Sequence, residues 1–258
     1  KNLISIYSIV ENIDSIPQTP KEQTAYNDLI VDKDRVLRRD LIHVSSKFDR
    51  LVSLPMRLVE VYLQNNSIYK DIESFNSNRW LNKHSGGYIN IDASGYQTML
   101  SYKSQFSFKQ YTLDDILNNN FEPKYIKDKI VIIGSTAKSL KDFYEVPFSR
   151  NVISNSFYQV PGVVIHAIRT NSLIQLLKNN QFFISTFNLD KKIILNIFNF
   201  MIAILIVEKS KKIIQALTIL LMFSLLFSIV NFSLLYYGLW ISAALPILSI
   251  LSPGIFGL

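Results

Sequence analysis

Residues 213–258 carry no charged side chain, running from IIQALTILLMFSLL to ILSPGIFGL. Drawn as one straight α-helix at ~1.5 Å per residue, the stretch would be roughly 69 Å long, more than twice the ~30 Å hydrocarbon core of a bilayer. It therefore has to cross, turn and cross again. A shorter apolar run, 193–207, precedes it. Lys191 and Lys192 at one end and Lys209 at the other can snorkel to the interfaces and compensate for its length. The expectation is three C-terminal transmembrane α-helices, at 193–207, 213–231 and 240–258.

The loop Glu208-Lys209-Ser210-Lys211-Lys212 between the first two spans is short and basic, and the positive-inside rule places it in the cytoplasm. Lys178, Lys191 and Lys192 on the far flank oppose that rule, so the orientation rests mainly on the shortness of the loop. Tyr236, Tyr237 and Trp240 suit an interfacial belt at the second turn, and Pro246 and Pro253 would kink or shorten the last helix. Residues 1–190 then form an extracytoplasmic domain and 191–258 the membrane region.

Composition narrows what the first part can do. The chain has 258 residues, with 27 Lys and Arg against 20 Asp and Glu, a net charge of +7 and no cysteine. The basic residues are scattered among acidic ones and form no stripe interleaved with aromatics, so nucleic acid is not an expected partner. Without cysteine there are no disulfides, thiolate metal sites or Cys nucleophile. No hydrolase elbow, HExxH zinc site, kinase signature or clustered carboxylate pair is present, so no catalysis, metal or cofactor is expected. The chain opens at Lys1 with no initiator Met and no signal-like segment and reads as a fragment. Its wealth of Asn, Lys, Ile, Ser, Tyr and Phe is what an AT-rich genome would encode.

Before the membrane region, strand and helix patterns both occur. Residues 3–10 read as a strand, and 27–39 as strand, turn, strand around Asp32, Asp34, Arg38 and Arg39. Asp32 and Asp34 could open a calcium loop, but the spaced oxygen ligands and closing Glu are absent; an ion-paired turn with Arg35, Arg38 and Arg39 is preferred. Ser53 and Pro55 start a helix that runs to Leu63, with Leu54, Leu58, Val61 and Tyr62 at helical spacing. Residues 64–84 read as a loop with a short helix. Residues 88–91 and 96–102 read as a hairpin turning at Gly95, and Thr112 with Asp115 as a capping box.

Residues 129–133 (KIVII) read as a buried parallel strand opening into Gly134-Ser135-Thr136-Ala137. That opening is similar to a phosphate-binding loop but lacks its glycine spacing and Gly-Lys-Ser/Thr end, so a tight turn is preferred. A polar loop over 149–159 leads through Pro161-Gly162 to an amphipathic helix at 168–177. His166 stands in an apolar setting with no second histidine and no carboxylate nearby in sequence. A hydrogen-bonded structural histidine is preferred to a ligand or general base.

Taken in order, several phrases carry a resemblance. They are Asp32-Lys33-Asp34-Arg35-Val36-Leu37-Arg38-Arg39, Ser53-Leu54 with Tyr62-Leu63, Gly86-Gly87-Tyr88 with Asp92 and Gly95-Tyr96-Gln97, Leu113-Asp114-Asp115-Ile116-Leu117, Lys129 to Ala137 with Asp142, and Pro161-Gly162-Val163 with His166-Ala167. Together with the apolar tail they resemble the type-2 CHASE domain, an extracytoplasmic sensory module of bacterial, especially cyanobacterial, receptors that three membrane helices follow. The resemblance implies a mixed α/β sensor with an undefined ligand, coupled to a cytoplasmic cyclase or kinase, and no catalytic residues.

It singles out Asp32, Asp34, Arg38, Arg39, Gly134, Ser135, Thr136, Asp142, Pro161, Gly162 and His166 as motif positions. Arg35 departs from the family's usual Gly, and Val146 from a frequent Thr. The expected partners are the lipid bilayer, an unknown ligand, and either a second copy or the subunits of a membrane complex. Two roles follow. One is a sensory receptor region in a bacterial plasma membrane. The other is an accessory or scaffold subunit without signalling output, for example of a photosynthetic complex in a plastid thylakoid.

Overall fold

The computed structural model describes residues 3–45, 50–64, 80–102, 108–151, 156–179 and 184–256. The chain divides into two compact units, 1–75 with 94–181, and 76–93 with 182–258.

In the first unit, β1 (Ser5–Tyr7) pairs in parallel with β2 (Thr24–Tyr26). The expected strand over 3–10 is cut short because Ser8 and Ile13 exchange both backbone hydrogen bonds, turning the chain just after Tyr7. β3 (Arg39–Ser45) is the centre of a three-stranded antiparallel sheet, flanked by β4 (Arg50–Val52) and β5 (Tyr96–Met99). A bulge interrupts the β3–β5 ladder: Asp40 faces Thr98 and Leu41 faces Gln97, but His43 faces Tyr96. The extra residue, Ile42, resets the alternation. Asp40 and His43 thus share one face with Thr98 and Tyr96, while Arg39 and Leu41 share the other with Gln97 and Met99.

The locally coded helices form as their end signals predict. α1 (Leu54–Leu63) starts behind Ser53, whose Oγ accepts Met56 N–H at 3.4 Å, with Pro55 in the first turn. α2 (Leu113–Leu117) carries the Thr112–Asp115 capping box with both reciprocal bonds. The hydroxyl of Thr112 and the backbone bond together hold the Asp115 carboxyl below its ordinary range. α3 (Gly162–Asn179) starts earlier than the expected 168, directly behind Pro161, and buries Ile165, Leu173 and Leu176. Ile165 and Ile168 join Leu37, Leu100 and Val146 in the core of this unit. Val146, the position where a Thr was expected, is thus an apolar core residue.

Nonlocal pairing departs from the sequence reading. Gly95 does take the positive φ of a turn, +75°, yet residues 88–91 form no strand, and the partner of β5 is β3. Residues 129–133 form no ladder among the described residues, and Ile133 is 93% exposed. An apolar β-branched run supplies strand propensity but not a partner edge, and without one it forms no strand. Residues 27–38 are likewise not a strand; only Val36 bridges to Glu145. Two short antiparallel pairs complete the unit: β6 (Phe143–Tyr144) with β9 (Val160–Pro161), and β7 (Arg150–Asn151) with β8 (Ser156–Phe157). The expected loop over 149–159 is partly this second pair, and residues 65–79 of the expected 64–84 loop lie outside the described residues.

The second unit is built on α4 (Leu189–Lys209), α5 (Ile213–Tyr236) and α6 (Ala244–Phe256), with β10 (Ser185–Thr186) parallel to β11 (Leu239–Trp240). Ala203, Leu220 and Ile250 form the buried centre where the three helices meet. Gly254 lets α6 approach α5 closely, since a Cβ there would lie 2.7 Å from Leu220.

The three expected spans need correction in extent. The run 193–207 lies inside the longer α4, 213–231 extends to Tyr236, and 240–258 begins as β11 and becomes helical only at Ala244. Among the described residues, only Ile213–Tyr236 is both long and apolar enough to cross a membrane. Asp190, Lys191, Lys192, Glu208 and Lys209 bring charge into the ends of α4, and α6 is apolar but short.

Candidate functional site

The acidic turn comes first in the chain. Arg35 N–H donates to Asp32 O at 2.8 Å and Asp32 N–H to Val36 O at 3.1 Å, closing a turn in which Arg35 has φ +66°. Both carboxylates then face the start of β3. Asp34 binds Arg38 through two parallel bonds, Oδ1–Nη1 at 2.8 Å and Oδ2–Nη2 at 2.7 Å. Asp32 is shared, its Oδ2 accepting from Arg38 Nη1 at 3.1 Å and its Oδ1 from Arg39 Nε at 2.7 Å. Arg39 reaches on to Gln97 Oε1 at 2.9 Å, linking the turn to β5. The hydrogen bonds from Arg38 hold the Asp34 carboxyl down at about 2, and the same contact pushes Arg38 up. All four carboxylate oxygens meet a guanidinium, so the ion-paired turn forms and the calcium alternative has no free ligand set. Arg35 is exposed and contributes its backbone N–H to the turn.

A second group gathers at the start of α3. Pro161 pairs with Phe143 across β9 and β6, and Gly162 N–H donates to Asp142 O at 3.0 Å. The Asp142 carboxylate fills the space where a Cβ on Gly162 would lie. A carboxylate there is also well placed against the positive end of the helix dipole. Burial first, and then the Asp142 charge, push the Tyr144 hydroxyl up to about 12. Gly134 lies against Val163, 2.7 Å from where its Cβ would be. Ser135 turns inward on its own loop, its Oγ accepting Ala137 N–H at 3.1 Å, and Thr136 is exposed. A single 3₁₀ turn, Lys138–Leu140, follows, so the loop does not open into an α-helix as a phosphate loop would.

The third group is buried. His166, on α3, has Nδ1 3.2 Å from Nη1 of Arg169 one turn further on. A guanidinium only donates, so Nδ1 accepts and the imidazole is neutral with its proton on Nε2. Burial, reinforced by the Arg169 charge, pushes His166 down to about 3. Arg169 spends the rest of its fork on β3: Nε donates to Asp40 Oδ1 at 2.6 Å and Nη2 to Leu41 O at 3.1 Å, just before the bulge. Asp40 and Arg169 are both 1% exposed. The Asp40 carboxyl is raised above its ordinary range because the cost of burial outweighs the attraction of Arg169.

Residues 1–206 match the CHASE2 domain family. The chain belongs to that family. No curated protein and no solved structure matches it. CHASE2 is an extracellular sensory domain family, so the chain carries a sensory domain, and Ile213–Tyr236, the one clearly membrane-competent helix among the described residues, begins just after the matched region.

Within this CHASE2 domain the singled-out residues fall into three groups. Asp32, Asp34, Arg38 and Arg39 form one network. Gly134, Asp142, Pro161 and Gly162 surround the start of α3, with Ser135 and Thr136 at its margin. His166 belongs to the buried group. Sequence reasoning missed Asp40, Arg169 and Thr98, and quoted Gln97 in a motif phrase without assigning it to the site. The signal available for Arg169 was a charge three residues after His166 within an otherwise apolar helix face. For Asp40, nothing local distinguished it from its neighbouring charges.

Proposed function

We propose that this CHASE2 domain is the non-catalytic sensory region of a membrane receptor, held outside the cytoplasm and coupled to it through three membrane helices. The observation that carries the reading is the surface of α5. Leu221, Met222, Leu225, Leu226, Ile229 and Phe232 are exposed around a helix that buries only Ala216, Leu220 and Asn231. In water that surface would be a severe liability, whereas in lipid it is the expected one. Exposed Ile194, Ile197, Phe198 and Met201 on α4, and Leu245, Leu248 and Ile255 on α6, support the same environment for the neighbouring helices. A ligand bound more tightly by one arrangement of the domain than by another would shift the population between them.

Site-directed labelling tests the topology, aided by the absence of native cysteine. In intact right-side-out vesicles, Ser94→Cys should react with an impermeant thiol reagent, and Ser210→Cys only after permeabilisation. The reverse pattern would place the domain in the cytoplasm and end the sensory-exterior reading. Extraction from native membranes separates receptor from scaffold: a stable stoichiometric complex with different subunits would favour the accessory role.

A further inference from the structure

The sheet and α3 are joined through a buried ion pair that is incompletely satisfied. Asp40 Oδ1 accepts from Arg169, but Asp40 Oδ2 has no hydrogen-bond partner among the described residues, and neither has the hydroxyl of Thr98 directly across the ladder. An ionised carboxylate buried with a free oxygen is costly, and a pair of this kind is held in place by its surroundings, with little net stabilisation of its own. Arg169 also ties Leu41 O, so one side chain links α3 to both residues before the bulge.

We propose that Asp40 and Arg169 form a proton-operated latch, in which the ionised pair holds α3 to β3 and protonation of Asp40 discharges the pair and loosens that hold. Once Asp40 is neutral, the charge of Arg169 keeps only neutral acceptors, Leu41 O and His166 Nδ1. The groups facing the pair are His166 from α3, Tyr26 from β2, Tyr102 after β5, and His43, which shares the Asp40 face of β3. Burial raises both tyrosines, which therefore stay neutral, and His166 is neutral throughout the mildly acidic range.

The direction of linkage allows a switch without unfolding. The folded carboxyl of Asp40 lies above its unfolded value, so the native state binds the proton more tightly than the unfolded chain. As pH falls, the contribution of Asp40 to folding therefore grows. Protonation releases α3 only into an arrangement that keeps Asp40 buried on β3 while Arg169 moves off, because there the carboxyl loses the charge that lowers it and binds the proton more tightly still. The latch gives the sensory reading a ligand, the proton, and rests on that reading only for its biological use.

The test is hydrogen exchange of α3 amides in the full chain in detergent micelles, corrected for intrinsic rate, from about pH 8 down to about pH 4, close to the ~3.9 of an ordinary Asp. Protection of α3 should fall about tenfold or more through a single transition. Asp40→Asn should remove the transition and hold α3 at its low-pH level, and His43→Gln should keep it. A transition that survives Asp40→Asn, that His43→Gln abolishes, or that is absent from the native chain overturns the latch. If Asp40→Asn does not fold, infrared titration of the native chain decides. A buried carboxylic-acid band must grow with the midpoint of the exchange change, and its absence or a different midpoint rejects the proposal. Reversed vesicle labelling with an intact α3 transition would reject the membrane orientation alone.

Discussion

Arg35 occupies a backbone conformation that suits glycine. Its φ of +66° lies in the left-handed region, where an L-residue with a Cβ is strained by about 1–2 kcal/mol, and its side chain is exposed. Glycine relieves that strain but is more flexible in the unfolded chain, which returns about 0.5–1 kcal/mol. Arg35→Gly should therefore stabilise the domain by roughly 0.5–1 kcal/mol, seen as a higher melting temperature. A lower one would mean that the side chain does work the turn geometry does not reveal. The ion-paired turn around Arg35 was legible because its charges lie within a few residues of one another. The Asp40–Arg169 pair was not, because 129 positions separate its partners and neither residue's neighbours signal the other.

At the scale of elements, the same division between local and nonlocal information holds. Ser53 and Thr112 mark helix starts because a cap is completed by the N–H groups two or three residues on. Ser53→Ala should cost about 1 kcal/mol, read as faster exchange of the first-turn amides of α1. Unchanged exchange would show that Pro55 and the packing of Leu54 and Met56 start the helix unaided. Strands carry no such self-contained signal. The hydrophobicity of 129–133 suggests a central strand, and Gly95 suggests a hairpin, but both inferences needed a pairing partner that periodicity cannot name. The bulge in β3 is similarly invisible in sequence, although it decides that Asp40 and His43 look the same way. The candidate site depends on that shared face, so most of its buried half had to come from the fold.

For the whole molecule, the governing contrast is between a unit with an interior and a unit whose apolar residues mostly face outward. The first buries Leu37, Leu100, Val146, Ile165 and Ile168, whereas in the second large apolar residues surround α5. If lipid covers that helix, the penalty for a charge depends on depth: about 2.5–3.5 kcal/mol near the centre of a span, and little at its ends. Leu225 is 63% exposed near the middle of Ile213–Tyr236, and Tyr237 is 80% exposed just past its end. Leu225→Arg should cut the fraction of chain that resists alkaline extraction from membranes, while Tyr237→Arg should leave it nearly unchanged, because an arginine there reaches the headgroups. Equal extraction of both variants would remove the depth dependence, and with it the case that α5 spans a bilayer. A soluble unit would instead answer to burial. On that scale Leu225 and Tyr237 are both open surface positions, so neither substitution would matter.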